Sequence, residues 1–280
     1  MRFGVHMAQK GGFAANLRRL KEMGFRSAQI FPGNPTAWKM GAAHPRELER
    51  RRALAEELEI RPLVIHCPYL INLASPNPDF HERSRELLRQ TMERAALYGS
   101  PYVVLHTGNH GGAGIEAGLE LLVETIAGEL PRWPAGVKLL LENTAGSGTA
   151  LGSRFEELAR VLKAFPPGAL GVCFDTAHAW GAGYDLGSAR GVEQTLEQFE
   201  KHIGLEHLCL LHLNDAKAGL GSRVDRHEHI GCGGIGREGF RALLNQDWPE
   251  DMPAILETPE MGGPWDRRNL EMLVELGGVG

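Results

Sequence analysis

Nine histidine and acidic side chains stand out in this sequence as candidate metal ligands. Five are imidazoles and four are carboxylates: His66, His106, His178, His212, His227, Glu142, Asp175, Asp225 and Glu257. His178 follows Asp175 by three residues, and one residue separates Asp225 from His227. A donor set of nitrogen and oxygen without thiolates favours zinc or manganese over magnesium or calcium, and zinc is the first expectation.

The size of this donor set predicts more than one cation. Each ion takes about three to five protein ligands, so nine donors that include a bridging carboxylate fit two or three ions better than one. Three divalent ions would change the local charge from about −4 to about +2 and attract phosphate. Adjacent cations can hold phosphate oxygens, lower the pKa of a water and neutralise a departing oxygen. The residues therefore predict phosphodiester hydrolysis.

Short β-rich runs alternate with amphipathic stretches along the whole chain. Eight runs have continuously apolar interiors, which is typical of parallel strands covered on both faces. These predicted strands are Arg2 to His6, Ser27 to Phe31, Pro62 to His66, Tyr102 to His106, Val137 to Glu142, Leu170 to Asp175, Leu208 to His212 and Ala254 to Glu257. The intervening stretches have apolar positions three and four residues apart and are predicted as helices. Examples are Arg46 to Leu58, Arg83 to Tyr98, Glu156 to Lys163, Glu193 to His202 and Arg267 to Leu276.

Eight strand-plus-helix units in 280 residues predict an α/β fold, a single (β/α)8 TIM barrel domain over residues 1–280. A doubly wound open sheet is the alternative, but Gly11-Gly12 lacks the rest of the phosphate-binding fingerprint that such sheets usually carry. Chemistry in TIM barrels lies at the C-terminal ends of the strands. Roughly one residue in six is Asp, Glu or His. A candidate ligand at the C-terminal end of six of the eight predicted strands therefore indicates a site.

Composition and charge exclude several classes of protein. The chain is 42% hydrophobic and 23% charged, as expected of a globular domain rather than a fibrous or disordered protein. Its longest apolar stretches are too short to span a bilayer and its first residues do not resemble an export signal, so we expect a cytoplasmic protein without membrane contact. Four scattered cysteines fit a reducing compartment. Because the net charge is −5, nucleic-acid binding would require a local patch, which bound cations could supply.

Five segments that contain the candidate ligands are distinctive enough to compare with known families. The longest are CFDTAHAWGAGYDL (173–186) and HLNDAKAGLGSRVDRHEHIG (212–231), and the others are HCPYLINLA (66–74), LENTAG (141–146) and LET (256–258). In sequence and order they resemble the signature segments of the endonuclease IV family of abasic-site DNA repair enzymes. The resemblance implies zinc-dependent cleavage 5′ to abasic sites in double-stranded DNA, leaving a 3′-hydroxyl and a 5′-deoxyribose phosphate. It also implies removal of blocked 3′ ends.

The resemblance further implies a trinuclear zinc centre, with manganese as a possible replacement at one or more positions. In order, the three ligand groups are His66, His106 and Glu142; Glu142, Asp175, His212 and Glu257; and His178, Asp225 and His227. Glu142 thus bridges two ions. Glu142, Asp175 and Glu257 are also the implied catalytic carboxylates.

Access to the phosphate requires that the damaged nucleotide be turned out of the duplex. Tyr69 and Leu70 match the residues that the family inserts into the base stack. Further DNA-contact candidates are Asn34, Lys217, Arg223 and Arg226. One departure lies in GNPTAW (33–38), where Thr36 stands in place of the arginine of well-known members. The way in which the unpaired base is held is therefore left open.

Two other interpretations are left open by the sequence. A barrel sugar isomerase would hold two metals through mostly carboxylate ligands, and a non-catalytic metalloprotein would bind damaged DNA without cutting it. We expect a monomer. His6 is either a partner of the ligands or a residue of the barrel mouth, and Cys67 is expected to pack rather than ligate. The remaining histidines are expected to be surface or structural: His44, His81, His110, His202, His207 and His229.

Overall fold

Ten strands are found in the computed structural model, which describes residues 1–8, 10–42 and 44–277. They are β1 (Arg2–His6), β2 (Ser27–Ile30), β3 (Leu63–His66), β4 (Tyr102–His106), β5 (Lys138–Glu142), β6 (Leu170–Asp175), β7 (Leu208–His212), β8 (Asp215–Ala216), β9 (His227–Glu228) and β10 (Pro253–Leu256). Strands β1 to β7 and β10 close into a parallel barrel, in which β1 pairs with both β2 and β10. The predicted TIM barrel is confirmed, and the open sheet is excluded.

The helices follow the strands, as the apolar periodicity predicts. They are α1 (Phe13–Met23), α2 (Pro45–Glu57), α3 (Pro78–Tyr98), α4 (Ile115–Glu129), α5 (Phe155–Lys163), α6 (Thr176–Ala182), α7 (Ala189–His202), α8 (Gly236–Leu244) and α9 (Trp265–Gly277). Helix α3 begins five residues earlier than Arg83, because the Asn77 side chain accepts hydrogen bonds from the Asp79 and Phe80 amides and Pro78 stands in the first turn. Among the described residues, no helix is long and apolar enough to cross a membrane.

The barrel interior consists of two layers that matter for the site. The lower layer is an apolar cluster of one side chain from each of six strands: Val64, Val104, Leu140, Cys173, Leu210 and Ile255. Because alternate residues of a strand share a face, the side chain two residues further on points to the same side. Those next positions are His66, His106, Glu142, Asp175, His212 and Glu257. A buried apolar layer therefore lies beneath six of the nine candidate ligands.

Some predicted strand boundaries differ by one residue from the observed ones. β10 ends at Leu256, so Glu257 lies just beyond the strand rather than at its end, and β2 ends at Ile30 rather than Phe31. The alternation still holds at Glu257, whose backbone amide donates to Asn214 Oδ1 (2.8 Å).

Candidate metal centre

The first group of candidate ligands joins β3, β4 and β5. The Glu142 Oε2 atom lies 3.3 Å from His66 Nε2 and 3.1 Å from His106 Nε2. Glu142 is fully buried and His66 nearly so, whereas the His106 side chain is about one-third exposed. Because these three residues end adjacent parallel strands, the pairing of β3, β4 and β5 is enough to bring them together.

The second group shares Glu142 and extends around the barrel. Glu142 Oε1 is 2.9 Å from His212 Nδ1, which also lies 3.2 Å from Glu257 Oε2 and 3.8 Å from Asp175 Oδ2. One ligand atom from each of these four residues fits within a 4.8 Å cluster. The two oxygens of Glu142 thus face different groups, which is the geometry of a bridging carboxylate.

The third group lies above β6 and depends on the long loop after β7. His178 Nε2 is 3.3 Å from Asp225 Oδ2, and His227 Nε2 is 3.4 Å from Asp225 Oδ1. Asp175 also approaches this group, with Oδ2 lying 3.7 Å from His227 Nε2. The structure therefore brings all nine candidates together, with Asp175 between the second and third groups.

Burial and mutual attraction change the ionisation of these side chains. Burial alone would raise the pKa of Glu142, but His212 and His106 outweigh it and hold that pKa well below the usual value. Burial likewise opposes ionisation of Asp225, yet the hydrogen bond to His178 lowers its pKa to about 2. The pKa of Glu257 is lowered against burial by His212 and by a hydrogen bond to His6. Three buried or half-buried carboxylates are thereby kept negative, which suits them to bind cations.

The outer nitrogen of several imidazoles is held by a backbone carbonyl. His66 Nδ1 lies 2.7 Å from the Cys67 oxygen, His178 Nδ1 is 2.9 Å from that of Asn143, and His227 Nδ1 is 2.9 Å from that of Glu257. A carbonyl only accepts, so each Nδ1 carries a proton and each Nε2 is the nitrogen left to face the carboxylate-lined centre, where it would bind a cation. This arrangement is common in histidines that bind metals.

One buried nitrogen, which lacks a hydrogen-bond partner in the part of the chain that the structure describes, indicates that the site suits a cation. His227 Nε2 is buried and has no hydrogen-bond partner among the described residues. It is the nitrogen that faces Asp175 and Asp225, and its unprotonated form needs a donor or a cation. Together with the four-carboxylate, five-imidazole donor set, this orphaned atom fits an ion such as Zn²⁺.

Asp225 and His227 are brought to the centre by a loop that Asp215 anchors. The buried Asp215 carboxylate accepts hydrogen bonds from four backbone amides, those of Ala216, Gly233, Ile235 and Gly236, at 2.8 to 3.4 Å. The β8–β9 hairpin then pairs Ala216 with His227. The Asp215 carboxylate thus ties both ends of the loop to the start of α8.

Three buried amide side chains that hold the ligands are not among the residues predicted from the sequence. Asn143 donates to the Asp175 carbonyl and accepts from its amide, while Asn214 donates to Asp175 Oδ2 at 2.7 Å. Gln29 contacts both His212 and Glu257. Asn143 and Asn214 lie within quoted segments, directly or shortly after a strand end, and that position is a usable signal. Gln29 is two residues after Ser27 on β2, so the alternation could have identified it.

Two of the DNA-contact candidates line an open cavity beside the centre. The cavity has a volume of about 600 Å³ and is lined by Tyr69 and Leu70 together with His106, His178 and Asp225. Tyr69 is 59% exposed at the edge of this cavity, so its ring is accessible to a bound molecule.

The remaining DNA-contact candidates lie on neighbouring loops. Asn34 is exposed and accepts two hydrogen bonds from Thr36. In the same loop, the Pro35 carbonyl oxygen accepts a hydrogen bond from the Tyr69 amide. Lys217, Arg223 and Arg226 are exposed on the loop after β7, where the Lys217 amide donates to the Arg226 oxygen. All four residues therefore belong to loops that also carry the centre or contact the Tyr69 backbone.

The other histidines and cysteines fall into distinct environments. His6 is buried, and its Nδ1 lies 3.4 Å from Glu257 Oε1, so it is a partner of the ligands. Cys67 is buried, and burial raises the pKa of its thiol. Cys173 is also buried and is grouped with Glu142 and His212, but burial raises its thiol pKa as well, so it is a poor source of thiolate. His229 stacks on Trp265 at 3.8 Å and has a structural role.

Comparison with known proteins extends over the whole chain. A family model described as xylose isomerase-like TIM barrel matches residues 17–276, which include all nine candidate ligands. The probable endonuclease 4 of Natranaerobius thermophilus is 46% identical over 279 residues, which cover 99% of this chain and 98% of that protein. The probable endonuclease 4 of Chloroflexus aurantiacus is 42% identical over 278 residues, with 98% of both chains covered.

Solved structures give the same likeness. Endonuclease IV from Thermus thermophilus superposes with a TM-score of 0.86 at 36% identity, with 100% of both chains covered. A D-tagatose 3-epimerase-like protein superposes with a TM-score of 0.76 at 22% identity over 99% of this chain and 98% of that one. The second likeness shows a shared barrel fold alone.

Proposed function

The chain belongs to the endonuclease IV family of DNA repair nucleases, and we propose that it hydrolyses the phosphodiester bond 5′ to an abasic site. The substrate is double-stranded DNA, and the products carry a 3′-hydroxyl and a 5′-deoxyribose phosphate. The observation that carries this proposal is the convergence of nine ligand-type side chains at the barrel mouth, next to a cavity and the exposed Tyr69.

In this proposal the three groups of side chains hold three divalent cations, with zinc as the first choice and manganese as a possible replacement. The ligands are His66, His106 and Glu142; Glu142, Asp175, His212 and Glu257; and His178, Asp225 and His227. Such cations supply Lewis-acid stabilisation of a phosphodiester and lower the pKa of a nucleophilic water. The orphaned His227 Nε2 and the lowered pKa values of three carboxylates support this assignment.

The residues of the chain itself have separable roles. Glu142 holds two groups at a fixed spacing, because its two oxygens face different imidazoles. Asp175 and Glu257 complete the carboxylate set and are proposed to be catalytic with Glu142. The buried apolar layer below the site lowers the local dielectric constant on that side, which strengthens the interactions among the ligands.

Tyr69 and Leu70 are proposed to enter the base stack and keep the abasic nucleotide turned outward. An exposed aromatic ring beside a cavity of about 600 Å³ is suited to that role, since the cavity can receive the extruded sugar phosphate. Phosphate contacts are proposed for Lys217, Arg223 and Arg226, and a contact in the loop after β2 for Asn34. A blocked 3′ terminus needs no extrusion, so the same centre should also remove 3′ blocking groups.

Incision of a duplex that contains one tetrahydrofuran abasic analogue tests the proposal. This analogue lacks the anomeric hydroxyl that β-elimination needs, so cleavage of it identifies a hydrolase. We expect a 3′-hydroxyl product from the abasic duplex, no cleavage of the matched undamaged duplex, and about three zinc ions per chain by elemental analysis. Binding without single-turnover cleavage would show a non-catalytic DNA-binding protein. Elution as a single chain with full activity would support a working monomer, since one chain carries all nine ligands.

A further inference from the structure

Gln29 occupies a barrel position that corresponds to the ligand positions of six other strands. It lies on β2, two residues after Ser27 and directly beside His6 in the register of β1 and β2. The side chain is fully buried. An amide is not a usual ligand for zinc, so a different role must account for a buried polar group at this position.

The Gln29 amide is saturated by three side chains of the barrel mouth. Its Nε2 atom lies 2.6 Å from Glu257 Oε1 and 3.0 Å from His6 Nδ1, and its Oε1 atom lies 2.9 Å from His212 Nε2. A carboxylate only accepts hydrogen bonds, so the nitrogen of the amide must face Glu257. The opposite orientation would bring two acceptor oxygens to that short distance. The carbonyl oxygen of Gln29 is therefore directed at His212.

The direction of the amide determines which nitrogen of His212 is available to a cation. Since Gln29 Oε1 only accepts, His212 Nε2 must carry a proton, which leaves Nδ1 to face the centre. Nδ1 is the atom that lies close to Glu142, Glu257 and Asp175. His66, His178 and His227 show the reverse arrangement, because backbone carbonyls hold their Nδ1 atoms. His212 differs from these three because its outer partner is a side chain from β2.

We propose that Gln29 is a positioning residue that commits His212 to bind its cation through Nδ1 and turns Glu257 Oε2 toward the same cation. The inference rests on the proposed function, because it assumes that the second group holds a metal. A carboxylate at this position would repel Glu257, and an apolar side chain would leave the His212 Nε2 proton without an acceptor. The amide alone offers an acceptor and a donor on one rigid plane.

The test compares two variants with a matched control in zinc-loaded protein. Gln29→Met removes the contacts to Glu257, His6 and His212 at similar side-chain length, and Gln29→Glu keeps the acceptor for His212 but loses the donor to Glu257. Gln90→Met is the control, because Gln90 bonds only to Glu86 on α3 among the contacts described and lies outside the barrel. Zinc affinity is measured by chelator competition, and the ligating nitrogen by ¹⁵N NMR of labelled histidines.

We expect wild-type His212 to show Nδ1 coordination with a proton on Nε2. Gln29→Met should weaken the most labile zinc by roughly 10- to 100-fold relative to Gln90→Met and should change the His212 signature. Gln29→Glu should retain the Nδ1 signature while zinc affinity still falls. Coordination of wild-type His212 through Nε2 would overturn the inference, and so would Gln29→Met with the zinc affinity of the control. If Gln29→Met does not fold, Gln29→Glu decides the question, and Gln29→Glu with the zinc affinity of Gln90→Met would overturn the inference.

These outcomes are distinct from failure of the proposed function. Wild-type protein that binds no zinc, or binds it without cutting the abasic duplex, would overturn the proposed function. Zinc-loaded, active protein with His212 bound through Nε2 would overturn only the role of Gln29.

Discussion

Replacing Glu142 by glutamine is the sharpest single perturbation of the candidate centre. The exchange keeps the shape of a fully buried side chain that touches two groups of imidazoles, but it removes one negative charge. A unit charge about 4 Å from a unit cation contributes roughly 4 kcal/mol at an effective dielectric constant of about 20. At about 1.4 kcal/mol per tenfold change, the loss corresponds to about three orders of magnitude in cation affinity. Two divalent neighbours would make the loss larger.

The assay combines elemental analysis, chelator competition and single-turnover incision of the abasic duplex. We expect Glu142→Gln to lose cations at chelator concentrations that leave the wild type loaded, and incision to fall at least about 1000-fold. Loading and incision at wild-type levels would refute the bridging role of Glu142.

The chain offers a matched control for this substitution in Glu129. Its carboxylate is also fully buried, but it lies at the end of α4 and receives hydrogen bonds from Arg85 and Arg89 of α3. Glu129→Gln should destabilise the fold by roughly 1–3 kcal/mol, because charge-assisted hydrogen bonds are lost, without changing metal content or incision. Loss of cations from this variant to the same degree would show that burial of charge, rather than ligation, explains the Glu142 result.

Four further outcomes are expected. Tyr69→Ala should weaken binding to the abasic duplex by roughly tenfold or more while zinc content is unchanged; loss of zinc would contradict its role in DNA contact. Thr36→Arg should tighten abasic-duplex binding at fixed salt, because a cation is added on an exposed loop; unchanged or weaker affinity would count against that. Asp215→Asn should cost about 2 kcal/mol or more of unfolding free energy and release about one zinc per chain, since it replaces one of the two oxygens that accept from four amides with an NH2 group; retention of all zinc would argue against its anchoring role. Although burial raises the pKa of Glu129, Arg89 and Arg85 outweigh it and hold that pKa below 4.5. The ionised Glu129 therefore stabilises the fold above pH 4.5, and this contribution is lost as the pH falls through the lower pKa of the folded state. The free energies of urea unfolding of the wild type and Glu129→Gln should become equal at that low pH.

The family resemblance, which rests on five sequence segments, identifies the nine candidate ligands but does not predict how their imidazoles are oriented. Backbone carbonyls and one glutamine determine that orientation, and those contacts join residues as far apart as Gln29 and His212. Each segment is compared with the family separately, so a side chain that lies outside all of the segments, such as Gln29, is not identified by them.

The local pattern of the chain determined the fold and the identity of the candidate ligands. Apolar runs and helical periodicity set eight parallel strands, and period-two alternation puts the residues at their ends on the inner face. The tertiary structure determined which residues at those strand ends come into contact. The pairing of β3, β4 and β5 makes Glu142 a shared contact, and the Asp215 anchor returns Asp225 and His227 to the same point. Distances between atoms far apart in the chain follow from register and loop closure, which no local run of residues encodes.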